Sequence, residues 1–218
     1  MDSRVVAIIP ARYESTRFPG KPLALIGGKP MIQHVYERTA LVKAVDRVLV
    51  ATDDERNMEA VTAFGGEAVM TGRDHESGTD RIAEVAADLT HSVVVNVQGD
   101  IPFLEPGMLD AGVQPLLDDS ELPMATIKTP IRNKEELENP NVVKVVTDRM
   151  GNALYFSRYP IPYWRDSAAA AGPASRHIGL YAYRRDFLLR FARLEPTPLE
   201  RAEKLEQLRA LEWGFRIR

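Results

Sequence analysis

Apolar residues along the chain follow two rhythms. Short unbroken β-rich runs lie within "RVVAIIPA", "DRVLVATDD" and "HSVVVNVQGD". Between them, "MIQHVYERTALVKA", "ERNMEAVTAFG" and "TDRIAEVAADL" carry apolar residues at helical spacing, the second closed by Gly65. Runs without in-and-out alternation are strands covered on both faces, and the spaced stretches are helices. A further short strand is expected in "GEAVMTG". Strands alternating with helices predict an α/β fold, a doubly wound and mostly parallel sheet with "RVVAIIPA" at its centre and ligands at the strand C-termini.

Past position 124 the rhythm changes. "NVVKVVTD" and "NALYFSR", joined by "RMG", read as an inserted β-hairpin region. "WRDSAAAAGPAS" is a small-residue loop, "HIGLYAYR" a further strand, and "PLERAEKLEQLRALEWG" one amphipathic helix. No repeat is visible, and 218 residues suit a single domain over 1–218.

Composition narrows the function. A net charge of −3 argues against a broad electrostatic grip on nucleic acid or an anionic membrane, so any basic site must be local. The chain contains no cysteine, which excludes disulfides and thiolate metal sites. No apolar run approaches the ~18 residues of a membrane span, and a cytoplasmic protein is expected.

The local basic site stands out at "IIPARYESTRFPGKPL", where the first strand runs into a loop stiffened by proline and glycine and carrying Arg12, Arg17 and Lys21. Main-chain N–H groups and cations beyond a strand end suit phosphate. Neither a G-x-G-x-x-G fingerprint nor a Walker lysine is present, so the loop is a different cradle. A solvated basic loop is the bland alternative.

"IPARYESTRFPGKPL" closely resembles the opening motif of the sugar-acid cytidylyltransferases, in particular the family acting on 3-deoxy-manno-octulosonate (Kdo). "DHESGTDRIAEV", "VNVQGD", "NPNVVKVV", "ALYFSR", "RHIGLYAYR" and "EKLEQLRALE" match that family in order, from end to end of the chain. The resemblance implies a nucleotide-diphospho-sugar transferase-like, Rossmann-like fold and a reaction of CTP with Kdo that gives CMP-Kdo and pyrophosphate. It also implies Mg²⁺, a homodimer built partly through the hairpin region, and a place in lipopolysaccharide biosynthesis.

Carried over residue by residue, the resemblance places Pro10, Ala11, Arg12, Arg17 and Lys21 around the CTP phosphates, with Ser77, Arg81 and Gln98 as further nucleotide contacts. Asp100, after a buried strand, becomes the Mg²⁺ ligand and joins Arg12 and Lys21 in the catalytic set. Arg158, His177, Tyr181, Glu206 and Gln207 become the sugar contacts, with Arg158 the natural partner of the sugar carboxylate. Simpler roles stand beside these: Ser77 as a helix cap, Asp100 as a turn residue, Tyr181 as core, and Glu206 and Gln207 as a wet helix face. His75 reads as a loop histidine.

Two departures from the family pattern matter. Members usually read Gln-Gly-Asp-Glu-Pro where this chain has "QGDIP", so Ile101 replaces an acid. Members also continue into a strand and a Gly-Val-Asp-Thr-Pro segment past "GFRIR", so the resemblance implies a domain lacking that segment. The alternatives are an enzyme for the 8-amino-3,8-dideoxy relative of Kdo, or a protein that holds CTP without turnover. A transferase acting on sugar phosphates or molybdopterin is disfavoured because no Gly-x-Gly-x-Arg loop is present.

Overall fold

The computed structural model describes residues 4–14, 18–163, 165 and 174–218. Its first half consists of β1 (Val5–Ala11), the small hairpin β2 (Leu25–Ile26) and β3 (Lys29–Pro30), α1 (Met31–Thr39), β4 (Arg47–Thr52), α2 (Glu55–Ala63), β5 (Ala68–Met70), α3 (Gly78–Ala87) and β6 (Val93–Asn96). There follow α4 (Pro106–Asp118), β7 (Met124–Pro130), α5 (Lys134–Glu138), β8 (Lys144–Thr147), β9 (Ala153–Ser157) and β10 (Ser175–Arg184). The chain closes with α6 (Arg185–Phe191), α7 (Pro198–Glu203) and α8 (Gln207–Glu212).

One eight-stranded sheet has the order β5-β4-β1-β6-β10-β8-β9, with β7 also paired to β10. The expected parallel centre is β5-β4-β1-β6. From β10 onward the pairing is antiparallel, and β8 and β9 form the expected hairpin, with Gly151 at a φ of 85° in its turn.

The absence of alternation in β1 has the predicted cause. Val5, Ala7 and Ile9 face a core built with Ile32 and Val35 of α1 and Leu109 and Val113 of α4. Val6 and Ile8 face a second core with Ile82 of α3, Leu188 of α6 and Leu208 of α8. Both faces of the strand are dry, so both sets of side chains must be apolar.

The single amphipathic helix expected over "PLERAEKLEQLRALEWG" is two helices, α7 and α8. Lys204 between them is left-handed, with φ 54°. Arg158 explains the break: its Nε donates to Glu203 O at 2.6 Å and its Nη2 to Lys204 O at 3.3 Å. A continuous helix would give those carbonyls to amides four residues on. At the end of the chain, Arg218 N donates to Met124 O and Ala153 N to Ile217 O, so these residues lie between β7 and β9. Among the described residues, no helix is long and apolar enough to cross a membrane.

Candidate active site

The loop after β1 folds back on itself, with Gly20 N donating to Tyr13 O at 2.8 Å and Gly20 left-handed at φ 70°. Lys21 is thereby set opposite the turn that follows β6. A cleft of about 320 Å³ lies between them, lined by Pro10, Ala11, Arg12, Lys21, Arg81, Gln98 and Asp100, among others. Seven positions singled out in the sequence thus meet at the C-terminal ends of β1 and β6. Arg17 lies outside the described residues.

Lys21 Nζ donates to Asp100 Oδ2 at 2.6 Å, both side chains about half exposed. The Arg12 guanidinium is deeper, and its Nη2 is buried without a hydrogen-bond partner. Arg81 is wholly buried, donating to Asp53 Oδ2 at 2.7 Å, to Gly72 O at 3.2 Å and to Thr71 Oγ1. Burial pushes its pKa down, Asp53 opposes that, and the nearby positive charge of Arg12 adds to it. Two guanidinium groups that close, one with an orphaned N–H, suit an anionic ligand.

Close backbone approach shapes the cleft floor. A Cβ at Gly99 would lie 3.0 Å from Pro10 O, so only glycine lets the turn after β6 rest on the end of β1. Ser77 does not line the cleft. It caps α3, its Oγ accepting from Asp80 N at 3.1 Å in a reciprocal capping box. His75 pairs with the Glu84 carboxylate, which also accepts from Gly72 N and is held below its ordinary pKa chiefly by that histidine.

The sugar candidates divide. His177, Tyr181 and Gln207 line a second pocket of about 480 Å³ together with Ile101, Asn141 and Arg176. Asp100 of the first cleft and Ile101 of this pocket are chain neighbours, so the two spaces adjoin. The pocket owes its shape to an irregularity in β10: Ile178 pairs with Ile127, but Tyr181 pairs with Thr126, leaving Gly179 and Leu180 as extra residues. Such bulges re-aim side chains.

Burial dominates the titration here. It pushes the His177 pKa down to about 4 and the Tyr181 phenol well up. Gln207 is buried, and its Nε2 has no partner. Glu206 turns away from this pocket into a neighbouring cleft, where its Oε2 accepts from Thr79 Oγ1 at 2.6 Å. Desolvation raises its pKa, partly offset by that bond and by Arg209.

Arg158 is not among the residues lining the pocket. Its Nη1 donates to Pro140 O at 3.1 Å, besides the bonds to Glu203 O and Lys204 O. Two of those partners, Pro140 and Lys204, immediately precede Asn141 and Leu205, which do line the pocket. Its own carbonyl accepts from buried Lys144 at 2.5 Å, and its amide donates to Glu203 Oε2 at 2.8 Å. Sequence reasoning missed Arg176, Asn141 and Thr126 in this region. Thr126 has no sequence signal, because its role depends on the β10 irregularity.

For a metal, the described residues contain no group of three or more His, Cys, Asp or Glu side chains. Asp100, which shares the cleft with Glu76, fits an ion whose other ligands would be phosphate oxygens and water.

A strand-end cleft lined by Arg12, Lys21, Arg81, Glu76 and Asp100, on a doubly wound sheet, suits a nucleotidyltransferase. The chain belongs to the cytidylyltransferase family, whose model matches residues 6–217. It is 59% identical over 224 residues to the 3-deoxy-manno-octulosonate cytidylyltransferase of Geobacter metallireducens, covering 99% of this chain and 88% of that protein. It is 60% identical over 221 residues to the protein of the same name from Syntrophotalea carbinolica, covering 98% and 88%. The solved structure of CMP:2-keto-3-deoxy-manno-octonic acid synthetase complexed with CTP matches with a TM-score of 0.94 at 49% identity, over 99% of this chain and 88% of that one. A 4-diphosphocytidyl-2C-methyl-D-erythritol synthase, at 14% identity and a TM-score of 0.64, shares the fold alone.

Proposed function

We propose that the chain activates Kdo with CTP, giving CMP-Kdo and pyrophosphate for lipopolysaccharide biosynthesis in the cytoplasm. The observation that carries this reading is the adjoining pair of spaces, one cationic and one lined by His177, Tyr181 and Gln207, in a chain 59% identical to a Kdo cytidylyltransferase.

The anomeric hydroxyl of the sugar attacks the α-phosphorus. A new P–O bond forms, the bond to the bridging oxygen breaks, pyrophosphate leaves, and the hydroxyl proton passes to water. Such transfer depends mainly on in-line positioning and charge neutralisation. Arg12 and Lys21, with Arg17, hold the triphosphate. Pro10 and Ala11 line the cleft, and Arg81, anchored on Asp53, adds buried positive charge near Arg12. Gln98 is assigned to the nucleotide, and Ser77 contributes by capping α3. Mg²⁺ held by Asp100 would neutralise phosphate charge and polarise the reacting phosphorus.

His177, Tyr181 and Gln207 read sugar hydroxyls, with Glu206 behind them. Arg158 is assigned to the sugar carboxylate: its bonds to neutral carbonyls leave one N–H on each terminal nitrogen, and among the described residues no carboxylate pairs with its guanidinium. Ile101 favours a second reading, activation of the 8-amino-3,8-dideoxy sugar acid, because it lines the pocket where the family carries an acid. Pyrophosphate release from CTP and Mg²⁺ with each sugar acid in turn tests both readings. Release with neither acid leaves a CTP-binding protein without turnover.

A homodimer is also proposed. Met150, Leu154, Tyr159 and Tyr163, in and just after the β8–β9 hairpin, are all strongly exposed, large side chains that a partner would cover. Sedimentation velocity tests it.

A further inference from the structure

Thr126 has no assigned part in the reaction, yet its hydroxyl sits where β7 meets the irregularity in β10. Oγ1 is 2.7 Å from Leu180 O, 3.2 Å from Ile178 O and 2.9 Å from His177 Nε2. A hydroxyl has one proton to donate, and carbonyl oxygens can only accept. If that proton pointed at the histidine, two oxygens would face each other at 2.7 Å with lone pairs alone between them. The proton therefore goes to the carbonyl of Leu180. The ring nitrogen beside Oγ1 must then be the donor.

We propose that Thr126 is a positioning residue that holds His177 as its Nε2–H tautomer, so that His177 presents the Nδ1 lone pair to a hydroxyl of the sugar acid and leaves the carboxylate to arginine. The proposal rests on the reading of this pocket as the sugar site. Three observations support it. No described residue bonds Nδ1, and the ring lines the pocket. Phase and tilt of the ring are set by the edge of Phe156, with centroids 4.9 Å apart, and by Tyr181 at 5.4 Å. Burial keeps the imidazole uncharged at physiological pH, so it has an acceptor nitrogen at all.

The other contacts of Thr126 make the arrangement stiff. Its amide donates to Arg218 O at 2.8 Å, and its hydroxyl ties down the Leu180 carbonyl, just past Gly179. One side chain thus sets both the path of β10 and the polarity of the ring it carries.

The test is a long-range ¹H–¹⁵N correlation spectrum of the ¹⁵N-labelled full chain at neutral pH, without substrate, with His177→Gln to assign the signals. A protonated Nε2 and an unprotonated Nδ1 are expected. Thr126→Val should shift the tautomer away from Nε2–H and raise KM for the sugar acid about tenfold, the loss of one hydrogen bond, with KM for CTP changed less than about twofold. Thr126→Ser, which keeps the hydroxyl, should restore both. An Nδ1–H ring in the parent protein overturns the proposal alone and needs no variant to fold. An unchanged tautomer or an unchanged sugar KM in a folded Thr126→Val protein also overturns it. If no sugar acid releases pyrophosphate with the parent protein, the functional reading fails and takes the proposal with it.

Discussion

The two adjoining spaces solve opposite electrostatic problems. The nucleotide cleft is built from charges at the ends of β1 and β6, and its Lys21–Asp100 pair stays half in water. The neighbouring pocket is built on the antiparallel β10, and burial holds His177 and Tyr181 uncharged there, the histidine's pKa low and the phenol's high, with Arg176 at its edge. A triphosphate brings charge that the half-exposed Lys21 can meet without a large desolvation cost, with the deeper Arg12 behind it. A sugar brings neutral hydroxyls, and distinguishing them calls for dry donors and acceptors fixed in advance.

Lowering the pH separates the regions most strongly. Burial sets the His177 pKa near 4, against an unfolded value of 6.5, so below about pH 6.5 the unfolded chain binds a proton that the folded chain refuses. Stability is full above pH 6.5 and falls as pH drops toward 4, by about 3 kcal/mol for the whole shift. His91, also lowered mainly by burial, acts in the same direction. Urea denaturation from pH 7.5 to 4.5 should show this slope, and His177→Gln should flatten it.

Next in size is loss of a phosphate cation. Arg12→Ala or Lys21→Ala should weaken CTP binding by roughly one to two orders of magnitude, for a charged hydrogen bond of about 1.5–3 kcal/mol, with the fold intact. If calorimetry finds CTP affinity unchanged in both, the cationic side of the comparison collapses.

Gly99→Ala should then destabilise the protein by about 1–3 kcal/mol, because its Cβ meets a backbone oxygen at 3.0 Å that has no free room to retreat. Thermal denaturation reads this directly.

Arg158→Ala should raise KM for the sugar acid about tenfold while CTP affinity holds, and Arg158→Lys should not rescue it, since an ammonium cannot reproduce the guanidinium fork. Equal effects on both substrates would move Arg158 out of the sugar site. The smallest effect belongs to Lys134, whose ion pair with Glu138 is 3.5 Å long and largely exposed. Lys134→Ala should leave the melting temperature unchanged within error.

Legibility followed the same divide. Arg12, Lys21 and Asp100 could be placed because a parallel strand runs uninterrupted into its loop, so chain order and spatial order agree at the strand end. The elements α4, β7 and α6 escaped notice. In α4, Pro115 interrupts the apolar spacing that marks a helix. The break at Lys204 could not be seen either, because "PLERAEKLEQLRALEWG" is locally consistent with one helix until Arg158, from a hairpin 46 residues away, takes its carbonyls.

By itself, the sequence determined the buried strands and the cation-rich loop at the end of the first of them, because burial on both faces and φ restriction by proline and glycine are written into neighbouring residues. Tertiary structure alone decided which nitrogen of His177 donates, that Ser77 caps a helix outside the cleft and that Arg158 holds the carbonyls of Pro140, Glu203 and Lys204. Each of those depends on a partner distant in the chain or on a hydrogen-bond direction, and neither leaves a trace in local spacing.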